Sequence, residues 1–265
     1  MISVEPMEMA IKEILESEKH QGDILAIFLT GSRLKNLETE NSDYDFYCIT
    51  RTSEEDIIFN RRNSIEFPLK SVAGEVKSMS LHAFALLLYK SSPNILHLFF
   101  KDPLYLHADF FEFDAFLYNN LHRLFQLNKD RLFGSIAGQM KNDMKYMENN
   151  MDKTNSAEFR KHFREFALLG YQTFYIHKMI SIENVGMEDI KEVFIVGERS
   201  KIRDIQEGNF YSEGDPMTEG QRIERFIKIF YNRAEDLKRL YRDQEVDIEL
   251  WEEIVKQVGQ IPKRD

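Results

Sequence analysis

Cysteine occurs once in 265 residues, at position 48. That scarcity excludes an internal disulfide framework and fits a reducing compartment. Cys48 falls inside an apolar run, where packing rather than reactivity is expected of it. Basic residues do not dominate: 35 Lys and Arg stand against 45 Asp and Glu, a net charge of -10. Such a balance argues against a protein that coats nucleic acid nonspecifically, although a local basic patch can still grip an RNA end. No run approaches the roughly 18 apolar residues of a membrane span. The first 20 residues lack the basic flank and apolar core of a signal peptide, so a cytoplasmic location is expected. Internal repeats, zinc-like Cys/His spacing, a P-loop and a zincin motif are all missing as well.

The chemistry concentrates in residues 25–50, LAIFLTGSRLKNLETENSDYDFYCIT. Residues 24–29 have the short length and branched apolar content of a buried strand. It ends in Thr30-Gly31-Ser32-Arg33, where Gly31 permits a close approach and Ser32 can satisfy the amides that open a helix. A polar segment over 33–41 is expected to be exposed. A second strand follows over 44–50, entered through Asp43-Tyr44-Asp45. Alternation projects Asp43 and Asp45 to one face, and two carboxylates that close need a cation or strong donors. Oxygen ligands suit Mg²⁺ or Mn²⁺, which complete their shell with water and substrate phosphates. The Gly31-Ser32 turn would hold a phosphate opposite those acids, a plausible arrangement for metal-assisted phosphoryl or nucleotidyl transfer.

A GS turn, a gap and then DxD opening a strand resembles the nucleotidyltransferase superfamily that includes DNA polymerase beta. Within it, the sequence is similar to a group of predicted bacterial and phage nucleotidyltransferases, some linked to RNA repair. The resemblance implies that Gly31 and Ser32 contact a nucleoside triphosphate, with Arg33 beside them, and that Asp43 and Asp45 bind catalytic metals. It also implies a third acid on a later strand. The segment 74–106 resembles the family stretch around that acid, which puts Glu75 in a position usually held by aspartate. Further along, Phe133-Gly134 and Lys161-His162 with Arg164 resemble family helices, the latter of the form K-H-x-x-R, whose basic residues neutralise the triphosphate, and Arg203 resembles a later substrate-side contact.

The remaining pattern is mainly helical. Residues 6–18, 81–89, 110–126, 133–147, 157–179, 222–240 and 249–258 show apolar spacing near 3.6. Further strands are expected over 64–69 and 72–79, with a weaker candidate at 57–59. Gly134, Ala137 and Gly138 are expected to admit a neighbouring helix or ligand. His82 and His97 read chiefly as packed histidines, His82 keeping a weaker claim to the cleft. Trp251 reads as a core or interface anchor.

The expected architecture is α+β: a small mixed sheet with packed helices over 1–108, then a helical part over 109–265 forming the other cleft wall. The expected activity is transfer of a nucleoside monophosphate from a nucleoside triphosphate to an acceptor hydroxyl. An RNA or tRNA end, a small molecule and a protein remain open as acceptors. A catalytically inactive nucleotide-binding protein and a plain helical scaffold are the competing classes.

Overall fold

The computed structural model of the protein describes residues 4–20, 23–34, 42–58, 64–154, 156–181 and 219–263. The chain divides into two units, residues 1–127 with 247–265, and residues 128–246. No helix among the described residues is long and apolar enough to cross a membrane.

The first unit is built on a five-stranded mixed sheet: β1 (Ile24–Leu29), β2 (Tyr44–Thr50), β3 (Ser64–Pro68), β4 (Gly74–Ser80) and β5 (Tyr105–Leu106). Its order is β3-β4-β2-β1-β5. Among the described strands only the β2–β4 pair is parallel. Helix α1 (Val4–Leu15) lays Ala10 and Ile14 against one face. There they meet Ile27, Leu29, Phe46, Cys48, Phe67 and Val76, the alternate residues that the pleat presents together. Burial pushes the Cys48 thiol up to about 12, so this sulfur packs as a small hydrophobe.

The opposite face is apolar at one end and polar at the other. Helix α4 (Leu81–Tyr89) and the stretch Pro93–Phe100, whose first turn is α5 (Pro93–Leu96), carry Phe84 and Phe99. Phe99 makes edge contacts with both Phe28 and Phe84, at 6.3 Å each. Ile49 and Met79, Cα partners on the parallel strands, are buried at this end. Two positions earlier the same face carries Tyr47 and Lys77, and two earlier again Asp45 and Glu75. The sheet thus changes from core to open polar surface within one pair of strands.

Arg51 fastens the far end of β2 to the rest of the unit. Its Nη1 donates to the Pro262 carbonyl at 2.8 Å, Nη2 pairs with Asp109, and Nε lies 3.4 Å from Asp23. The last helix of the chain, Ile248–Gln260, belongs to this unit. Asp247 caps it by accepting from the Leu250 amide at 2.9 Å. Trp251 packs on Tyr89 with ring centroids 4.8 Å apart.

Several local expectations change. Glu54–Ile58, entered through the acidic pair Glu54-Glu55, form helix α3, so Ile57 and Ile58 are helical rather than strand and Ile58 is 73% exposed, while Phe59 lies outside the described residues. Arg33 and Leu34 are buried rather than part of an exposed segment. The pattern over 110–126 divides into α6 (Phe111–Asn119) and α7 (Leu121–Gln126), because Asn120 turns out of the helix and donates its side chain to the Phe116 carbonyl.

The second unit packs α8 (Lys129–Glu148), α9 (Ala157–Ser181) and α10 (Glu219–Leu240). Phe226 of α10 makes edge contact with Phe163 and Phe166 of α9. Gly170 is required where these helices meet, since a Cβ there would lie 2.3 Å from Phe230. Among the described residues, a Cβ at Gly134 or Gly138 meets nothing within 4 Å.

Candidate active site

The turn after β1 builds one wall of a cleft. Gly31 has φ +65°, a conformation that L side chains rarely adopt. A Cβ there would stand 2.5 Å from the Asp45 carboxylate, so glycine is required both by its backbone and by what lies beside it. The Thr30 amide donates to the Asp45 carbonyl at 2.8 Å, fixing the turn to β2. Gly31–Leu34 then form one short turn of helix, α2.

The other wall comes from β2 and β4. Asp45 and Glu75 are Cα partners on these parallel strands, so both carboxylates rise from the same face. Gly74 makes the pairing possible: a Cβ there would fall 1.9 Å from the Tyr44 carbonyl oxygen. The cleft, about 230 Å³, is lined by Gly31, Asp45 and Glu75 together with Tyr47, Glu66, Lys77, Asn94 and His97. Lys77 pairs with Glu66 at 2.6 Å, and that hydrogen bond holds its ammonium above the ordinary lysine range. Burial pushes the Tyr47 phenol up from its ordinary value, with Lys77 opposing and the acids Glu66 and Glu75 adding.

The predicted residues do not all converge. Asp43 precedes the first residue of β2 and is exposed. Outside the strand, the pleat no longer ties it to the Asp45 face. Among the described residues no group of three or more His, Cys, Asp or Glu gathers closely enough to hold a metal ion. Of the three expected acids, Asp45 and Glu75 form an adjacent pair on neighbouring strands. Two neighbouring carboxylates still suit Mg²⁺ or Mn²⁺, which takes one or two protein carboxylates and fills its shell with water and phosphate oxygens.

Arg33 is only 8% exposed, and its side chain works on the protein itself. Nε donates to the Ser42 and Asp43 carbonyls at 3.2 and 3.1 Å, and Nη2 to Ser42 at 2.5 Å. Its guanidinium lies 3.8 Å above the Tyr44 ring. This clamp shapes the approach to β2, while Lys101 donates to the Arg33 carbonyl at 2.7 Å. Ser32 is half-buried in α2. Lys161 is exposed and Arg164 half-buried, both on α9 in the second unit. Between them, His162 bonds to Asp143 at 2.8 Å and stacks on Tyr146. Arg203 lies outside the described residues. His82 lines a separate apolar cavity beside Trp251 and Val258.

Glu66, Asn94, His97 and Gly74 were not legible as parts of this site. Lys77 carried the clearest signal, two places beyond Glu75 in a strand and so on its face. Glu66 reaches the cleft through the β3–β4 register, in which it partners Lys77.

A mixed sheet with packed helices, a glycine turn pressed against a strand aspartate, and a helical region beyond it define an α+β fold of nucleotidyltransferase type. Residues 9–84 match the model of the nucleotidyltransferase domain family, a span that takes in Gly31, Asp45 and Glu75. That match supports the broad nucleotidyltransferase superfamily. A crystal structure described as a nucleotidyltransferase-like protein from Exiguobacterium sibiricum 255-15 is similar over 97% of this chain and 81% of its own, with 12% identity and a TM-score of 0.34. No curated protein matches.

Proposed function

We propose that the protein is a metal-dependent nucleotidyltransferase of the RNA-repair-associated group. On this reading it moves a nucleoside monophosphate from a nucleoside triphosphate to an acceptor hydroxyl. The observation that carries this is the pairing of Asp45 with Glu75 beside Gly31, where an added Cβ would stand 2.5 Å from the Asp45 carboxylate. Asp45 and Glu75 would hold Mg²⁺ or Mn²⁺, with Asp43 at the rim. When bound, that ion would neutralise charge on the phosphates and lower the pKa of an attacking hydroxyl. The protein's part is orientation and proton transfer. Gly31 and Ser32 receive the phosphates, with Arg33 shaping the turn. The acceptor oxygen bonds to the α-phosphorus as the bond to the bridging oxygen breaks. Pyrophosphate leaves, and the hydroxyl proton passes to a carboxylate of the Asp45–Glu75 pair.

An RNA or tRNA end is the favoured acceptor; small-molecule and protein hydroxyls suit the same chemistry. Incubation with α-labelled ATP, CTP, GTP or UTP, Mg²⁺ or Mn²⁺, and separate pools of short RNA and cell extract identifies nucleotide and acceptor together. Label should move to one pool, and Asp45→Asn should reduce the rate by at least about 10²-fold. A second reading, nucleotide binding without transfer, is favoured by glutamate at position 75, where the resembled family usually has aspartate. Binding with no labelled product would support it.

A further inference from the structure

Lys77 is the one Lys or Arg among the described residues lining the cleft. It rises from the same face as Glu75, with Tyr47 as its Cα partner on β2 and Glu66 on β3. Its partner Glu66 sits on the outer strand of the sheet, and the two side chains are 39% and 54% exposed. A pair that open to solvent is weakly held and readily exchanged. The same cavity carries three carboxylates, on Asp45, Glu66 and Glu75. A polyphosphate entering it adds negative charge, and an ion at Asp45 and Glu75 compensates only part of that. Lys77 supplies a fixed positive charge on the Glu66 side, on a flexible stem with three donors.

We propose that Lys77 binds the polyphosphate tail of the nucleotide, giving up Glu66 for a phosphate oxygen, and so selects triphosphates over shorter phosphate chains. The inference rests on the nucleotidyl-transfer reading and names which of the cleft's residues grips the leaving part of the substrate. The competing account is structural, with Lys77 and Glu66 tying β3 to β4 and nothing more.

Initial rates against nucleotide concentration, for the wild type, Lys77→Met, Lys77→Arg and Glu66→Gln, separate the two. Inorganic tripolyphosphate serves as a competing inhibitor that has no base or sugar. Lys77→Met should raise KM by about tenfold or more with a smaller change in kcat, and weaken tripolyphosphate inhibition by a similar factor. Lys77→Arg should recover most of both, and Glu66→Gln should lower KM below the wild-type value. An unchanged KM in Lys77→Met overturns the inference, as does unchanged tripolyphosphate inhibition. So does a Glu66→Gln protein that loses nucleotide affinity and stability together, as a structural tie requires. In each of those cases wild-type transfer continues and the proposed function stands. A wild type that neither transfers label nor is protected from unfolding by tripolyphosphate removes both.

Discussion

A single Cβ added at Gly31 would stand 2.5 Å from Asp45 Oδ2, on a backbone with φ +65°. Gly31→Ala should therefore cost about 1–2 kcal/mol of stability from the left-handed conformation. It should also displace the carboxylate from its place beside the turn, so transfer should fall far more than stability does. Urea unfolding and the label-transfer rate, measured on the same preparation, check both; full activity would show that the Asp45 position is not critical. Asp114 offers a test of burial apart from the cleft. Burial first, and the nearby charge of Asp102 second, raise its carboxyl from 3.8 to about 6. The protonated form is then favoured by folding, so the contribution is fully present below about 3.8 and lost as pH rises through about 6. Asp114→Asn should melt above the wild type at pH 8 and converge with it towards pH 4. Parallel curves across that range would contradict the assignment.

At the scale of elements, the junction of β2 and β4 decides whether the acids meet. A Cβ at Gly74 would fall 1.9 Å from the backbone oxygen of Tyr44, where no side chain can yield. Gly74→Ala should cost about 1–3 kcal/mol and abolish transfer by separating Glu75 from Asp45. Circular dichroism should still show a folded protein, which distinguishes a broken site from a collapsed one. The elements of this junction were legible because their signals are local. The apolar run at 24–29, the DxD entry to β2 and the near-continuous apolar helix at 81–89 are each set by a few neighbouring residues. Long-range register was not legible. Nothing near Glu66 says that β3 will pair antiparallel with β4 and set it against Lys77, or that the 93–100 stretch will bring Asn94 and His97 to the same cavity. Asp43 is a related case: alternation holds only inside a strand, and β2 begins one residue later. Asn120 likewise interrupts a pattern that is apolar on both sides, through a side-chain bond that periodicity does not encode.

Across the whole molecule, the chain leaves the first unit at Leu127, folds the helices of the second, and returns at Asp247 to complete the first. Leu250, Ile254 and Ile261 of the returning segment are buried, and Pro262 supplies the carbonyl that receives Arg51. Ending the chain after Val246 should thus destabilise the sheet-bearing unit by about 3 kcal/mol or more, although every cleft-lining residue is retained. Differential scanning calorimetry would show a lowered transition; an unchanged one would mean that the last helix is dispensable to the unit.

On the proposed function Asp45, beside Gly31 and opposite Glu75, supports transfer of a nucleotide to a hydroxyl. Label from an α-labelled nucleoside triphosphate should appear in an acceptor with Mg²⁺ or Mn²⁺, vanish with chelator, and be lost in Asp45→Asn that remains folded. Transfer that persists undiminished in folded Asp45→Asn would contradict it.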